Sequence, residues 1–348
     1  MSELTRRKDH HIDIVRGEPV AGFGPAAGFG RYTLEYDALP EVDLDEVDLS
    51  TTIFGKHLSA PLVIGAMTGG TDRTGGINRV LARGAARVGV GMALGSQRAM
   101  IRHPEVTSSF AVRDAAPDLP LLVGNVGAIQ LNYGVTVEQV QQAIDGVGAD
   151  AINFHLNPLQ EAIQPEGDTR FRGVSQLIAE TAPKLSVPVL IKEVGNGISA
   201  RTARRLAELP IAGVEVAGTG GTSWAAVEAY RAGDDKRRAG AGIRLAGFGV
   251  PTIDSLQIVR DVVPDKVVVA SGGVRSGMDV AVALALGADA VALAKPFLDA
   301  AEEGGEDAVA AAIEELLFDL RVICFCAGAK NLEELRQCRV IDVTKGYR

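Results

Sequence analysis

Short apolar runs recur along the chain from residue 60 onward, and amphipathic stretches separate them. The runs fall at 61–67 (PLVIGAM), 88–94 (VGVGMAL), 120–124 (PLLVG), 150–156 (DAINFHL), 188–194 (PVLIKEV), 213–217 (GVEVA), 266–270 (KVVVA) and 289–294 (DAVALA). They are continuous rather than alternating, which is the pattern of strands covered on both faces. The stretches 136–147, 174–184, 199–208 and 277–286 repeat apolar residues at helical spacing. Several runs follow Gly-Ala-Asp or a proline, where a helix ends and the next strand begins. Eight such units over roughly 240 residues predict an α/β fold of the (β/α)8 TIM-barrel class. The longest gap, 218–265, is expected to hold the sixth helix and an insertion at 232–240, and 306–321 the eighth helix. Residues 1–58 lie outside the repeat as an N-terminal extension with a basic segment. The barrel then spans 59–330, and 331–348 form a short C-terminal tail, a helix and an end strand packed on the barrel.

Composition narrows the function more than the fold. The 348 residues are 47% hydrophobic and 23% charged, enough for one large core or two ordinary domains. A net charge of -9 excludes a general binder of nucleic acid or of anionic membrane. An anionic ligand must then be held by a local cluster of Arg, Lys and backbone N–H groups. Cys324, Cys326 and Cys338 lack the spacing of a zinc site, and Cys324 and Cys326, in the apolar run 322–327, read as buried free thiols. No apolar stretch reaches the roughly twenty residues that cross a bilayer. The first residues carry no apolar signal core, so a cytoplasmic protein is expected.

Active-site residues of such barrels come from the C-terminal ends of the strands, and here every end turns polar or glycine-rich. The first gives Ala66-Met67-Thr68-Gly69-Gly70, the second Gly95-Ser96-Gln97-Arg98, the third Asn125. The fourth opens into HLNPLQE, which places His155, Asn157, Gln160 and Glu161 within seven positions after a proline-stopped strand. A polar loop that merely caps the next helix would also accommodate this stretch. The fifth gives Lys192-Glu193, the sixth GTGGTSW at 218–224, the seventh SGGVR at 271–275 and the eighth Ala294-Lys295-Pro296-Phe297. The loops after strands 7 and 8 form the usual phosphate seat of these barrels, and Gly272, Gly273 and Arg275 suit a phosphate dianion. Lys192 could reach the electron-rich edge of a flavin.

Two stretches imitate a dinucleotide fingerprint. Gly22-Phe23-Gly24-Pro25-Ala26-Ala27 has no strand before it and reads as a flexible loop. Gly195-Asn196-Gly197-Ile198-Ser199-Ala200 does follow a strand, with Glu215 about twenty residues on, but it is the fifth unit of a series and opens no domain. The start of the chain, TRRKDHHIDIV, crowds Arg6, Arg7, Lys8, His10 and His11 into six positions, as a solvated helix start or as an anion site.

RKDHH at 7–11, AMTGG at 66–70, GSQR at 95–98, HLNPLQE at 155–161, KEVGNGIS at 192–199, GTSW at 221–224 and SGGVR at 271–275 together resemble type 2 isopentenyl diphosphate isomerases over nearly the whole chain. The resemblance implies a barrel holding FMN that acts reduced, NADPH as electron source, Mg2+ on the diphosphate, and a homotetramer or homo-octamer. Its flavin contacts map onto Ala66, Met67, Thr68, Ser96, Asn125, Lys192, Thr222, Gly272, Gly273, Val274, Leu293 and Ala294. Its diphosphate contacts map onto Arg7, Lys8, Ser96, Gln97 and Arg98, with Gln160 on the substrate and Glu161 on the metal. His155, Asn157 and Gln160 are the expected catalytic group, acting on isopentenyl and dimethylallyl diphosphate. The rival class is a flavin-dependent 2-hydroxy-acid oxidase or dehydrogenase, which needs His-Gly-x-Arg-Gln after strand 6. A second rival is a non-catalytic flavin-binding barrel, which would have no use for the diphosphate contacts.

Overall fold

The computed structural model describes residues 3–346, with side chains from Arg7 onward, so the Arg6 side chain lies outside the described residues. Eight parallel strands close into a barrel: β1 (Leu62–Ile64), β2 (Gly91–Ala93), β3 (Leu122–Gly127), β4 (Ala151–Leu156), β5 (Val189–Glu193), β6 (Gly213–Glu215), β7 (Val267–Ser271) and β8 (Ala290–Leu293). Each falls within or beside one of the apolar runs. Helices 137–145, 174–181, 200–207 and 277–285 occupy the amphipathic stretches, and most start at a Ser or Thr whose hydroxyl accepts the N–H three residues on.

The runs are continuous because the two faces of each strand meet different apolar layers. Leu62, Ile64, Leu122, Ile152, Phe154, Ile191 and Val268 point to the helix layer and join the main core. Val63, Val123, Ala151, Leu190, Val269 and Ala290 form a separate cluster inside the barrel. A hairpin of Thr51–Ile53 with Lys56–Leu58 adds Ile53 and Leu58 to this inner cluster, with Phe54 packed against it. Higher up, the inward positions change character. Two residues beyond Val123 comes Asn125, two beyond Leu190 comes Lys192, and two beyond Val269 comes Ser271. The period of two that buries an apolar plug below therefore aims polar groups into the upper end.

Three expectations change. The eighth helix is longer than 306–321: it runs Lys295–Cys326, directly from β8, and bends at Gly304 and Gly305, whose backbone is non-helical. The 218–265 gap, expected to hold one helix and an insertion, holds three helices (Trp224–Arg231, Lys236–Arg244 and Thr252–Val262), the second of which takes in 236–240 of the inserted segment. The 22–30 stretch does not hang free. Ala27 and Phe29 are buried, and a Cβ on Gly24 would meet Gly247 Cα at 2.6 Å.

The extension and the tail are joined by an antiparallel pair, Tyr32–Leu34 with Val340–Asp342. The N-terminal helix Glu3–Gly17 packs on helix Trp224–Arg231 and brings Arg7, Lys8 and His11 to the barrel mouth. Among the described residues no helix is long and apolar enough to cross a membrane.

Candidate active site

The upper end opens into a cleft of about 1210 Å³, solvent at its mouth included, room for a mononucleotide beside a small substrate. Ala66, Met67, Ser96, Asn125, Lys192, Thr222, Gly272, Gly273, Val274, Arg275, Leu293 and Ala294 line it. So do Arg7, Lys8, Arg98, His155, Asn157, Gln160 and Glu161. Two expected contacts lie outside the lining. Gln97 is fully buried and both ends of its amide are committed: Nε2 donates to the Ala143 carbonyl at 2.8 Å and Oε1 accepts the Asn125 N–H at 2.9 Å. It braces the neighbouring strand ends and has nothing left for a diphosphate. Thr68 is 2% exposed, and its carbonyl accepts from Asn78 Nδ2 at 3.2 Å.

Register explains the middle of the cleft. His155 pairs with Lys192 across β4 and β5, and Lys192 with Glu215 across β5 and β6, so three functional groups form one row. The Lys192 ammonium makes an ion pair with Glu215, whose same oxygen accepts from Ser271 Oγ at 2.8 Å. Asn125 Nδ2 donates to the Leu94 carbonyl, which turns Asn125 Oδ1 toward His155 Nδ1 at 2.8 Å. That fixes the imidazole with its proton on Nδ1 and its lone pair on Nε2. Burial, together with the charges of Lys8, Lys192, Arg98 and Arg7, brings the His155 pKa down to about 3.

The HLNPLQE turn forms a connected network. Asn157 Nδ2 donates to Gln160 Oε1 at 3.0 Å and to Glu161 Oε1 at 3.1 Å. Gln160 Nε2 donates to Glu228 Oε1 at 2.9 Å. Glu161 also accepts from Gln164 Nε2 and the Asp168 N–H, both at 2.7 Å, while burial pushes its carboxyl up. Asn157 Oδ1 is buried with no protein partner among the described residues.

Glu228 went unnoticed in the sequence. It is fully buried in WAAVEAYR, between His11 Nε2 at 3.1 Å and Arg231 Nε at 2.6 Å. Burial alone would raise its pKa. The hydrogen bond and charge of His11, the Arg231 charge and the Gln160 amide outweigh that and bring it to about 2. A carboxylate among five consecutive buried residues, 225–229, was its available signal.

The GNGISA turn is already filled. Glu193 Oε2 accepts the N–H groups of Val194, Gly195, Asn196 and Gly197. A pyrophosphate would have to displace a carboxyl group that is part of the chain. Burial pushes that carboxyl up to about 7 against the pull of its donors.

The loop after β7 is different. Gly272 and Gly273 have φ of 100° and 75°, where side chains are strained, and Thr252 Oγ1 pins the Gly272 carbonyl at 2.6 Å. Among the described residues no protein acceptor meets the N–H of Gly273 or Val274, and Arg275 lines the cleft beside them. Unused donors with a guanidinium fit the phosphate of FMN. For magnesium, the described residues hold no group of three or more His, Cys, Asp or Glu. The Glu161 carboxylate suits an ion carried on a diphosphate, which needs only one or two protein ligands.

At the outer end, Arg7 meets Glu166 at 3.3 Å and Arg98 meets Asp168 at 2.8 Å. Lys8 is buried, and among the described residues no carboxylate lies within ion-pair distance of it. Burial and then the Arg7 charge lower its pKa to about 7.

Residues 140–342 match the FMN-dependent dehydrogenase family. Mandelate oxidase with (S)-2-phenylpropionate superposes with a TM-score of 0.68 at 21% identity, over 97% of each chain. A lactate oxidase structure from Pediococcus acidilactici gives 0.70 at 18% identity, over 98% of this chain and 93% of that one. Fold and cleft thus define a barrel of the FMN-dependent class. The isopentenyl-diphosphate delta-isomerase of Synechococcus sp. is 47% identical over 340 residues, 98% of this chain and 97% of that protein. That of Stutzerimonas stutzeri is 46% identical over 98% of each, and that of Deinococcus radiodurans 47% over 86% of this chain and 87% of that protein. The chain belongs to the type 2, FMN-dependent isopentenyl-diphosphate delta-isomerase family.

A neutral His155 is expected throughout the physiological range. In ¹⁵N-imidazole NMR its Nε2 should keep the shift of an unprotonated nitrogen from pH 8 down to pH 5. An imidazolium signal at pH 6 would contradict the burial and hydrogen-bond argument.

Proposed function

We propose that the chain interconverts isopentenyl and dimethylallyl diphosphate by a redox-neutral 1,3-allylic proton shift, in isoprenoid biosynthesis in the cytoplasm. FMN would act in its reduced form with NADPH priming it, and Glu161 would hold the Mg2+ that accompanies the diphosphate. The observation that carries this reading is the joining, in one cleft, of three cations and a carboxylate with a mononucleotide cradle. The Arg7, Lys8 and Arg98 cations are suited to a diphosphate, and the N–H groups of Gly273 and Val274 to the flavin phosphate.

Moving the double bond means adding a proton to an unactivated alkene and removing another, through a cation-like transition state. Bound reduced FMN supplies an electron-rich ring and an exchangeable proton next to the alkene. The protein's own part is to position the alkene. Arg7, Lys8 and Arg98 hold the diphosphate away from the reacting carbons. Asn157 and Glu228 each take one end of the Gln160 amide and stop it rotating. His155 stays neutral and adds no positive charge beside a developing cation. Trp224 lines the same cleft, and an aromatic face favours positive charge. Tyr36, Leu39, Phe248 and Phe318 are each more than 60% exposed, and a homotetramer or homo-octamer is part of this reading.

The hydroxy-acid oxidase reading requires an imidazole and a guanidinium after β6. Residues 218–224 read GTGGTSW and offer neither.

Two outcomes follow. Lys8 must be protonated to attract the diphosphate, and its free-enzyme pKa of about 7 is lowered, so affinity is full below pH 7 and is lost above it. KM for isopentenyl diphosphate should therefore rise with pH from 7 to 9, by up to about tenfold per unit, and Lys8→Met should flatten that slope. Equal slopes in both proteins would remove Lys8 from the site. The reaction class is tested anaerobically by counting product against NADPH consumed. A priming role predicts many products per NADPH, whereas a fixed ratio of one would make the enzyme an oxidoreductase.

A further inference from the structure

The turn after helix Pro158–Ile163 is wound onto Glu161 itself. A Cβ on Gly167 would lie 1.7 Å from the Glu161 carbonyl oxygen, so only glycine lets the chain pass there. One residue on, Asp168 makes two kinds of contact. Its backbone N–H donates to Glu161 Oε2 at 2.7 Å. Its carboxylate forms an ion pair with Arg98 Nη2 at 2.8 Å and accepts from Gln130 Nε2 at 2.9 Å, and the residue is 9% exposed. The guanidinium at the anion end and the carboxylate at the metal end are thus tied to one residue.

Among the described residues, Arg98 Nε and Gln130 Oε1 around this hub are buried without a protein partner, and both residues line the cleft. An unused donor on Arg98 suits a phosphoryl oxygen. An unused acceptor on Gln130 suits a proton of metal-bound water, which bare diphosphate cannot provide.

We propose that Asp168 is a positioning residue that makes the site select the magnesium complex of a diphosphate over the bare anion, an inference resting on the diphosphate reading above. Asp168 offsets part of the Arg98 charge and sets a second carboxylate beside Glu161. A bare diphosphate on Arg98 would feel both carboxylates as like charges, Glu161 in the lining and Asp168 behind Arg98 and Gln130, whereas a magnesium ion carried on it would be attracted by both. Arg98 is meanwhile held by one Nη and keeps Nε for the ligand.

The test uses the oxidised FMN holoenzyme and inorganic pyrophosphate, titrated calorimetrically with Mg2+ or with chelator, and reads the ratio of the two affinities. The wild type should favour the magnesium complex by more than about tenfold. Asp168→Asn keeps the size and the backbone N–H but removes the charge. Its ratio should fall about tenfold, with the bare anion bound more tightly. Arg98→Gln leaves the Asp168 charge unopposed and should move the ratio the other way. FMN content and melting temperature check that each variant is folded. An Asp168→Asn ratio equal to the wild type overturns the proposal. If that variant does not fold, an Arg98→Gln ratio that fails to rise overturns it instead. A wild type that binds no pyrophosphate, or binds it regardless of magnesium, overturns the diphosphate reading itself and this inference with it.

Discussion

Putting cations into a barrel mouth that excludes much of the water is the constraint on which this site depends. A charge taken out of water is costly unless a partner faces it. In a chain of net charge -9 the partners come from the wall. Lys192 has Glu215, Arg98 has Asp168, and Arg7 has Glu166. Lys8 has none within ion-pair distance among the described residues, and its pKa falls to about 7 instead. Burial, with the same crowd of positive charge, keeps His155 neutral. Cation placement therefore sets which groups can attract an anion and which can exchange a proton without adding charge.

Strand geometry makes this arrangement repeatable. An inward position occurs every second residue, so a strand that plugs the barrel with Leu190 presents Lys192 one step higher. Neighbouring strands in register then align His155, Lys192 and Glu215 across the wall. The apolar plug below and the polar row above are consecutive parts of one pattern. That is why Asn125, His155, Lys192, Glu215 and Ser271 sit at strand ends, while Arg7 and Lys8 come from the N-terminal helix and Gly272 to Arg275 from the turn after β7.

The barrel strands were legible because both faces of each are apolar, and the site because polar residues interrupt each run at its C-terminal end. What one dimension hides is which side of a strand or turn a polar residue takes. Gln97 and Arg98 are adjacent, yet one is spent bracing Asn125 and Ala143 while the other opens to the cleft. Glu193 fills its own glycine turn, which no motif spacing could tell from an empty one. Glu228 and Asp168 matter through partners 68 and 70 positions away, Gln160 and Arg98, and so stayed out of sight. The eighth helix was read short because Gly304 and Gly305 look like an end, whereas the chain only bends there.

The central claim is that this cleft moves a proton, not a hydride, on an allylic diphosphate. It is tested most directly by converting isopentenyl diphosphate with the reduced FMN enzyme in D2O and reading the product by mass spectrometry. The account predicts dimethylallyl diphosphate that has gained solvent deuterium at unchanged oxidation level. A product two electrons more oxidised, or dimethylallyl diphosphate free of deuterium, would contradict it.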